Sequence, residues 1–323
     1  MRAIRIARTG GPEVLELADV ATPEPGPGQI LVRHGAIGIN FIDTYHRSGL
    51  YPIKLPSGLG MEAAGVVEAV GEGVARFQPG DTVVYASGPI GAYAEFNAVP
   101  ADRAVKVPAG VTPDLAAAAL LKGMTAEFLL RRCHAVQPGE TILVHAAAGG
   151  VGSILVQWAK ALGATVIATA GGAEKGERAR ALGADHVIDY KTADVAAEVR
   201  KLTGGAGVPV AYDSVGASTF EGTLGSLGRR GLFVSYGNAS GPAPAVEPGR
   251  LSRMGSLYFT RPTLFDYVAT TEELDASAVA LFEMIASEKV RVDIGQTFAL
   301  SEARQAHEAL EARATVGASL LIP

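Results

Sequence analysis

The stretch HAAAGGVGSILVQWAKALGATVIATAGG, residues 145–172, decides the fold. An apolar run at 141–146 predicts a strand, and apolar residues at helical spacing predict a helix over 151–162. Between them, Gly149, Gly150, Val151 and Gly152 complete a form of the motif G-x-G-x-x-G in which alanine takes the first place. A strand, a bend without bulky side chains and a helix, in that order, predict a dinucleotide-binding turn.

The chemistry of this bend explains its composition. Main-chain N–H groups at a helix N-terminus hold a diphosphate, helped by the helix dipole, and side chains would block its approach. Gly152 also lets the helix pack closely against the strand. The alternative is an ordinary tight turn, but the further strand–helix units that follow in the chain favour nucleotide binding.

The end of the second strand lacks the acidic residue that binds the ribose hydroxyls in NAD-specific folds. The predicted strand 165–169 runs into Thr-Ala-Gly-Gly (169–172), which leaves space and no charge to repel a 2′-phosphate. Gly172, Lys175 in the next helix and Tyr190 after the third strand are candidate contacts for that phosphate. A lysine at a helix end is by itself commonly a solvated side chain. Combined with the missing acid, it predicts NADPH rather than NADH.

Length and composition indicate a folded globular protein of about two domains, with 323 residues, 48% of them apolar and 19% charged. No apolar run approaches the ~20 residues that cross a bilayer, and the N-terminus does not resemble a signal peptide. We therefore expect a cytoplasmic protein with no membrane partner. The net charge of −5 and the lack of a basic block predict no nucleic-acid partner. A single cysteine, Cys133, excludes an intrachain disulfide and a multi-cysteine metal site.

The pattern of apolar runs divides the chain into two kinds of structure. Residues 1 to about 120 carry short alternating runs separated by Pro and Gly turns, which predict a compact, barrel-like β-rich domain. After a helical stretch from residue 113, strands and helices alternate, which predicts an α/β fold with a doubly wound parallel sheet. The strands are predicted at 141–146, 165–169, 186–189, 208–213, 232–236 and 255–261, and the helices at 151–162, 174–182, 192–202, 217–228, 270–287 and 301–312.

Six segments that together span nearly the whole chain resemble a known family. They are residues 38–52, 60–74, 77–85, 145–152, 212–216 and 235–241. With a Rossmann domain placed between β-rich portions, the chain resembles the medium-chain dehydrogenase/reductase superfamily. It is most similar to the zinc-independent quinone oxidoreductase branch, which includes zeta-crystallin. The resemblance implies a GroES-like β-rich domain over 1–120 and 262–323 and a Rossmann domain over 121–261.

Two departures from the alcohol dehydrogenase branch of this superfamily concern zinc. That branch has a cysteine ligand where this chain has Asn40, and a histidine where it has Met61. An amide and a thioether are poor replacements for a thiolate and an imidazole, and the four-cysteine structural zinc lobe is absent too. We therefore expect neither a catalytic nor a structural zinc.

The resemblance also implies which residues surround the nicotinamide and the substrate. Asn40 and Thr125 are suited to hydrogen-bonding the cofactor, and Tyr45 and Tyr51 to orienting an acceptor oxygen and stacking on a flat ring. Each residue has a simpler interpretation: Asn40 as a turn former, Thr125 as a packed helix residue, and the tyrosines as the rim of a cleft. Asp43 and Glu62 are predicted to be structural, making caps or internal hydrogen bonds.

Further cofactor contacts are predicted beyond the carboxyl ends of the later strands, where ligands of open parallel sheets bind. The candidates are Val215 and Gly216 after the fourth strand, and Tyr236, Gly237 and Asn238 after the fifth. Gly and Asn also satisfy ordinary turns. The resemblance adds Phe259 and Arg313 near the cofactor and implies a homodimer in which the strand at 255–261 pairs across a two-fold axis.

The function that these residues and the resemblance imply is NADPH-dependent reduction of a quinone or a similar electron-poor small molecule. Without a metal to polarise the substrate, such acceptors need less help than an alcohol, so positioning is the main task. Reduction of the activated double bond of an enone or alkenal would use the same residues and stays open. A crystallin-like structural protein that binds the nucleotide is a third possibility.

Overall fold

The structure is a computed structural model that describes all residues from Met1 to Pro323. The chain forms two compact units. Unit 1 comprises Met1–Gly123, Val268–Phe282 and Val292–Pro323, and unit 2 comprises Met124–Tyr267 and Glu283–Arg291. The domain bounds drawn from the sequence stay a prediction.

Fifteen strands and ten α-helices are numbered along the chain. The strands are β1 (Arg2–Arg5), β2 (Glu16–Asp19), β3 (Gln29–Ile39), β4 (Glu62–Val70), β5 (Thr82–Tyr85), β6 (Phe96–Pro100), β7 (Ala104–Lys106), β8 (Thr141–Val144), β9 (Thr165–Ala170), β10 (His186–Asp189), β11 (Val208–Asp213), β12 (Leu227–Ser235), β13 (Tyr258–Thr260), β14 (Ile294–Ala299) and β15 (Ala318–Ile322). The helices are α1 (Phe41–Ser48), α2 (Pro113–Phe128), α3 (Gly150–Ala161), α4 (Ala173–Ala181), α5 (Val195–Leu202), α6 (Phe220–Ser226), α7 (Pro248–Arg253), α8 (Leu264–Tyr267), α9 (Thr271–Ala286) and α10 (Ala303–Glu311).

Unit 2 is built on a six-stranded sheet with the order β10-β9-β8-β11-β12-β13, in which every pair is parallel. The order moves outward from β8 in both directions, which is the doubly wound arrangement with a switch point beside the first strand. The predicted α/β parallel sheet is therefore confirmed. Because the carboxyl ends of parallel strands share one edge, the turns after β8, β9, β10, β11 and β12 lie along that edge.

The core of unit 2 contains a group of aromatic side chains. The ring centroid of Phe233 in β12 lies 5.5 Å from that of Phe220 in α6 and 5.0 Å from that of Phe259 in β13. Phe220 and Phe233 are each 1% exposed. Together they join the α6 face to the β12–β13 side of the sheet, in a cluster that also contains Leu143 and Ile167.

Unit 1 contains a seven-stranded sheet in which β3 is the central strand. Its order is β14-β15-β3-β4-β5-β7, with β6 also paired to β3. All of these pairs are antiparallel except β14 with β15. The C-terminal strand β15 therefore completes a sheet begun near the N-terminus. At Gly65 in β4, a Cβ would lie 2.0 Å from the carbonyl oxygen of Arg33 in β3, so only glycine fits this close approach.

Helix α2 ends in a π-helical turn over Leu129–Cys133. The thiol of Cys133 is half-buried there, and burial raises its pKa above the ordinary value. No helix in the structure is both long enough and apolar enough to cross a membrane.

The aromatic core of unit 2 leads to a stability prediction. We expect Phe220→Ala to lower the free energy of unfolding by about 3–5 kcal/mol, because it removes a buried ring and leaves a cavity against Phe233 and Phe259. Val279→Ala is the control, because Val279 is 54% exposed, and we expect it to change stability by less than about 0.5 kcal/mol. Urea unfolding followed by circular dichroism measures both, and equal effects would contradict this description of the core.

Candidate active site

The turn between β8 and α3 exposes main-chain amides at a helix N-terminus. Helix α3 begins at Gly150, and Gly149 before it has an extended backbone with φ −82° and ψ 175°. The first-turn amides of any helix lack an intrahelical acceptor, and the helix dipole makes this end positive. No acidic side chain lies in the first turn of α3 to occupy these donors.

Gly152 is the position in this turn where no side chain fits. A Cβ at residue 152 would lie 2.2 Å from the carbonyl oxygen of Ala146, which itself has a left-handed backbone with φ 50°. The chain therefore folds back on α3 closely enough to exclude any larger residue. Positive amides without covering side chains are what a diphosphate requires, so the residues present fit a phosphorylated dinucleotide.

The ends of β9 and β10 come together beside this turn. A Cβ on Gly171 would lie 2.4 Å from Tyr190 Oη and 3.3 Å from Lys191 Cε, so the tyrosine and the lysine after β10 lie over the glycines after β9. Gly172 has a φ of 98° and precedes α4, whose first turn contains Glu174 and Lys175. The structure thus groups Gly172, Tyr190 and Lys175 at one end of the sheet. Sequence analysis did not single out Lys191.

The Val215–Gly216 turn after β11 is held by a buried carboxylate. Asp213 Oδ1 accepts hydrogen bonds from the amides of Val215 at 2.7 Å and Gly216 at 3.0 Å. Its Oδ2 accepts from the hydroxyls of Thr219 and Thr223, each at 2.7 Å. Sequence analysis missed this role of Asp213, although an acidic residue at the buried end of a parallel strand is a recognisable signal.

His145 connects the same network to β9. Its Nε2 lies 2.9 Å from Thr223 Oγ1 and its Nδ1 lies 3.0 Å from Thr169 Oγ1. Burial lowers the pKa of this imidazole, so it is neutral and bridges two hydroxyls. The side chain therefore braces the strands below the glycine turn.

The turns after β11 and β12 also touch. A Cβ on Gly216 would lie 2.3 Å from the carbonyl oxygen of Gly241 and 3.4 Å from Asn238 Cα, and one on Gly237 would lie 2.4 Å from the carbonyl oxygen of Ser214. The structure thus brings Gly216, Gly237 and Asn238 together, with Tyr236 directly before them. For two other predicted residues of unit 2, the cofactor contact stays a prediction. Phe259 packs in the aromatic core, and Thr125 is buried in α2.

In unit 1, Asn40 lies between β3 and α1 with its side-chain orientation fixed by a carboxylate. Its Nδ2 donates to Glu62 Oε2 at 2.8 Å. A carboxylate only accepts, so the amide nitrogen of the Asn40 side chain must face Glu62 and its carbonyl oxygen must face away from Glu62. The cofactor contact predicted for Asn40 stays a prediction.

Glu62 is the centre of a buried polar group. It is fully buried, and its oxygens accept from the Leu121 amide at 2.6 Å and from Lys122 Nζ at 3.1 Å as well as from Asn40. The ammonium group of Lys122 balances the buried negative charge. Glu62 therefore makes the internal hydrogen bonds predicted for it and orients a candidate site residue.

Asp43 lies one turn into α1 and caps that helix. Its Oδ2 accepts from the main-chain N–H of Asn40 at 2.8 Å and from Tyr93 Oη at 3.0 Å. Its Oδ1 is buried without a partner. Burial raises the pKa of this carboxyl to about 7, against the lowering effect of those hydrogen bonds. This agrees with the structural capping role expected from the sequence.

Tyr45 and Tyr51, which the resemblance places in one site, lie next to each other. Their ring centroids lie 5.2 Å apart with the rings at 66°, and the Tyr51 amide donates to the Tyr45 carbonyl oxygen at 3.0 Å. His46 lies 6.1 Å from the Tyr51 ring. Arg313 follows α10 with a φ of 55° and lies in unit 1. The ligand contacts predicted for all these residues stay predictions.

No group of three or more His, Cys, Asp or Glu side chains in the structure is arranged to hold a metal ion. Asn40 instead faces Glu62, whose charge is already matched by Lys122.

Comparison with protein families identifies two kinds of domain in the chain. Residues 26–109 match the family model described as the alcohol dehydrogenase GroES-like domain. Residues 150–283 match the model described as zinc-binding dehydrogenase. The first range lies in unit 1, and the second begins at the first residue of α3. The predicted combination of a GroES-like domain and a Rossmann domain is therefore confirmed.

Relatives match the chain along its whole length. A quinone oxidoreductase of Pseudomonas aeruginosa is 52% identical and covers 100% of this chain and 99% of its own. A 2-haloacrylate reductase of a Burkholderia species is 43% identical over 98% of both chains. The crystal structure of an Escherichia coli quinone oxidoreductase complexed with NADPH is 49% identical, covers 100% of both chains and superimposes with a TM-score of 0.98. This chain therefore belongs to the quinone oxidoreductase, zeta-crystallin-like branch of the medium-chain dehydrogenase/reductase superfamily.

Proposed function

We propose that this protein is an NADPH-dependent quinone reductase. The observation that carries the proposal is the amide-lined turn at Gly149–Gly152, preserved in a chain that matches quinone oxidoreductases from end to end. That turn is suited to a diphosphate, because it places first-turn amides at the positive end of α3 with no acidic side chain among them.

NADPH is favoured over NADH by the residues after β9 and β10. The segment Ala170–Gly172 contains no carboxylate to bind the ribose hydroxyls or to repel a 2′-phosphate. Tyr190 lies against Gly171, and Lys175 lies in the first turn of α4 with a positive charge. The E. coli relative crystallised with NADPH supports the same choice.

When bound, NADPH supplies the hydride that reduces the acceptor. The chain's own contribution is to bind and orient. Asn40 offers a fixed carbonyl oxygen as an acceptor for a ligand N–H or O–H group, because its amide nitrogen is held by Glu62. The edge-to-face pair Tyr45–Tyr51 provides two aromatic rings suited to a flat quinone, together with hydroxyls that donate to its oxygen. We propose a hydrogen-bonding contact between Thr125 and the nicotinamide, as the family resemblance implies.

A second candidate activity is reduction of an activated carbon–carbon double bond. The 43% identity to a 2-haloacrylate reductase favours it, since that substrate is an electron-poor alkene. The same hydride donor and the same positioning residues serve both reactions.

Two finer proposals concern the setting of the reaction. β13 is an edge strand of the six-stranded sheet, and Tyr258 within it is 56% exposed, which supports a homodimer formed by strand pairing at this edge. A cytoplasmic location is supported by the single cysteine.

The first prediction of this proposal concerns the choice of cofactor. We expect Lys175→Ala to raise the KM for NADPH about tenfold or more and to leave the KM for NADH nearly unchanged, because only NADPH carries the 2′-phosphate. Lys201→Ala is the matched control, since the Lys201 side chain is 75% exposed on α5. Steady-state kinetics with each cofactor measure the effect. An equal loss for both cofactors would show that the 2′-phosphate binds elsewhere.

The acceptor is tested with a panel of small molecules. We expect NADPH oxidation with simple benzoquinones and naphthoquinones at a higher kcat/KM than with alkenones, alkenals or haloacrylates. A quinone needs less activation because its product anion is delocalised over the ring. A higher kcat/KM with the alkenes would replace this assignment by the double-bond reductase. Tight NADPH binding with no turnover of any acceptor would indicate a binding protein.

The expected absence of zinc is tested on purified protein. We expect elemental analysis to find no stoichiometric zinc, and a strong chelator to leave quinone reduction unchanged, because Asn40 and Met61 are poor zinc ligands. A zinc-dependent alcohol dehydrogenase treated in the same way is the control. Loss of activity on chelation, with recovery on adding zinc, would refute the expectation.

A further inference from the structure

Behind Asn40, two side chains of α1 are joined through Tyr93 and His307 into a continuous series of buried hydrogen bonds. Arg47 Nη1 lies 3.0 Å from His307 Nδ1, His307 Nε2 lies 3.0 Å from Tyr93 Oη, and Tyr93 Oη lies 3.0 Å from Asp43 Oδ2. All four side chains are at most 2% exposed. The main-chain N–H of Asn40 completes this series by donating to the same Asp43 Oδ2 at 2.8 Å.

In this series of hydrogen bonds, each donor and each acceptor is fixed, so all the bonds point from Arg47 toward Asp43. A guanidinium group only donates, so His307 Nδ1 must be the acceptor, and the proton of the neutral ring is on Nε2. Burial lowers the pKa of His307 to about 3, which keeps the ring neutral. His307 Nε2 therefore donates to Tyr93 Oη, and the tyrosine must use its single proton to donate to Asp43.

The direction of this series decides which oxygen of Asp43 can bind a proton. Two donors, the main-chain N–H of Asn40 and the Tyr93 hydroxyl, point at Oδ2. A proton bound to Oδ2 would displace one of them. Oδ1 is buried and has no partner. A proton taken up by Asp43 therefore binds Oδ1, and Oδ2 changes from a carboxylate oxygen to a weaker carbonyl acceptor.

We propose that Tyr93 and His307 are positioning residues for quinone reduction. Through Asp43 they fix the main chain of Asn40 where β3 turns into α1, and protonation of Asp43 loosens that fixation. The inference rests on the proposed function, since it concerns the presentation of Asn40 to the cofactor. Arg47 holds the end of the hydrogen-bonded series that is opposite Asp43. Its guanidinium group also donates to the Gly10 carbonyl oxygen at 3.2 Å and to Glu311 at 2.6 Å.

The charged and titratable groups that face Asp43 come from several elements. Lys122 of α2 favours its ionised form, and Glu62 of β4 opposes it. Tyr93 donates to it directly, with His307 of α10 and Arg47 of α1 behind. Burial outweighs the groups that lower the pKa of Asp43 and raises it to about 7, so the carboxyl titrates within the range in which the enzyme can be assayed.

The kinetic test is the pH dependence of kcat/KM for a benzoquinone with saturating NADPH. We expect the wild-type rate to fall on the acid side near pH 7, where Asp43 gains its proton. Tyr93→Phe removes a donor that stabilises the carboxylate, so we expect it to move this acid limb upward by about one pH unit. Asp43→Asn mimics the protonated state, with a carbonyl oxygen for both donors and an amide nitrogen in place of Oδ1. We expect its rate to be reduced and without an acid limb.

Two variants separate positioning from a general loss of stability. Tyr85→Phe is the matched control, because Tyr85 is also fully buried and bonded to a histidine, His34 Nε2 at 2.9 Å, but does not contact Asp43. We expect it to lower the melting temperature and leave the acid limb in place. His307→Gln keeps an N–H donor toward Tyr93 and should retain the wild-type profile, whereas His307→Leu should not.

A second measurement needs neither cofactor nor turnover. The raised pKa of Asp43 means that the native state binds more protons than the unfolded state between about pH 4 and pH 7. The free energy of unfolding of the wild type therefore decreases as pH rises through this window. Asp43→Asn does not show this decrease, because residue 43 no longer titrates. The measured quantity is the melting temperature of Asp43→Asn minus that of the wild type, and we expect this difference to increase with pH over the range. When both proteins also carry Tyr93→Phe, we expect the increase to continue to higher pH.

The outcomes distinguish the inference from the proposed function. Quinone turnover with the same acid limb in wild type, Tyr93→Phe and Asp43→Asn would overturn the inference and leave the function intact. A melting difference that does not vary with pH would overturn it as well. Absence of quinone turnover in the wild type would overturn the function, and with it the positioning role, even if the melting curves show Asp43 titrating.

Discussion

The organisation of unit 2 depends on one steric constraint, the contact between Gly152 and the Ala146 carbonyl oxygen. Because no side chain fits there, α3 packs closely behind β8, and its first-turn amides lie at the edge where all the parallel strands end. The polar network below it, from His145 through Thr223 to Asp213, keeps the adjoining turns in place. A phosphate-binding surface thus arises from backbone geometry, and side chains serve mainly to support it.

Features determined by neighbouring residues could be predicted from the sequence. The bounds of β10 and β11 agree with those predicted, because compact apolar runs end there at turns. β12 begins at Leu227 rather than at 232, since its first part contains two glycines and two exposed arginines, which together resemble a turn. That part pairs with β11 only across a register irregularity, so its strand structure depends on the neighbouring strand and not on its own pattern.

The same distinction applies to the candidate site. The glycine turn and the missing acid after β9 are local, and the sequence indicated both. The partners of Asp43 are not local, because Tyr93 lies 50 residues away and His307 lies 214 residues beyond Tyr93. Neither has a spacing that would predict the contact. Such long-range buried polar contacts follow from how β15 and α10 return to the first part of unit 1, which hydrophobic periodicity does not specify.

The half-buried thiol in the π-helical turn after α2 has a consequence for an enzyme that handles quinones. Quinones and enones are soft electrophiles that alkylate thiolates, and a protein that reduces them meets them at high local concentration. Cys133 is the only cysteine, and its raised pKa keeps it in the less nucleophilic thiol form at neutral pH. Burial of its one thiol in the folded state thus lowers the fraction of thiolate that the protein's own substrates could alkylate.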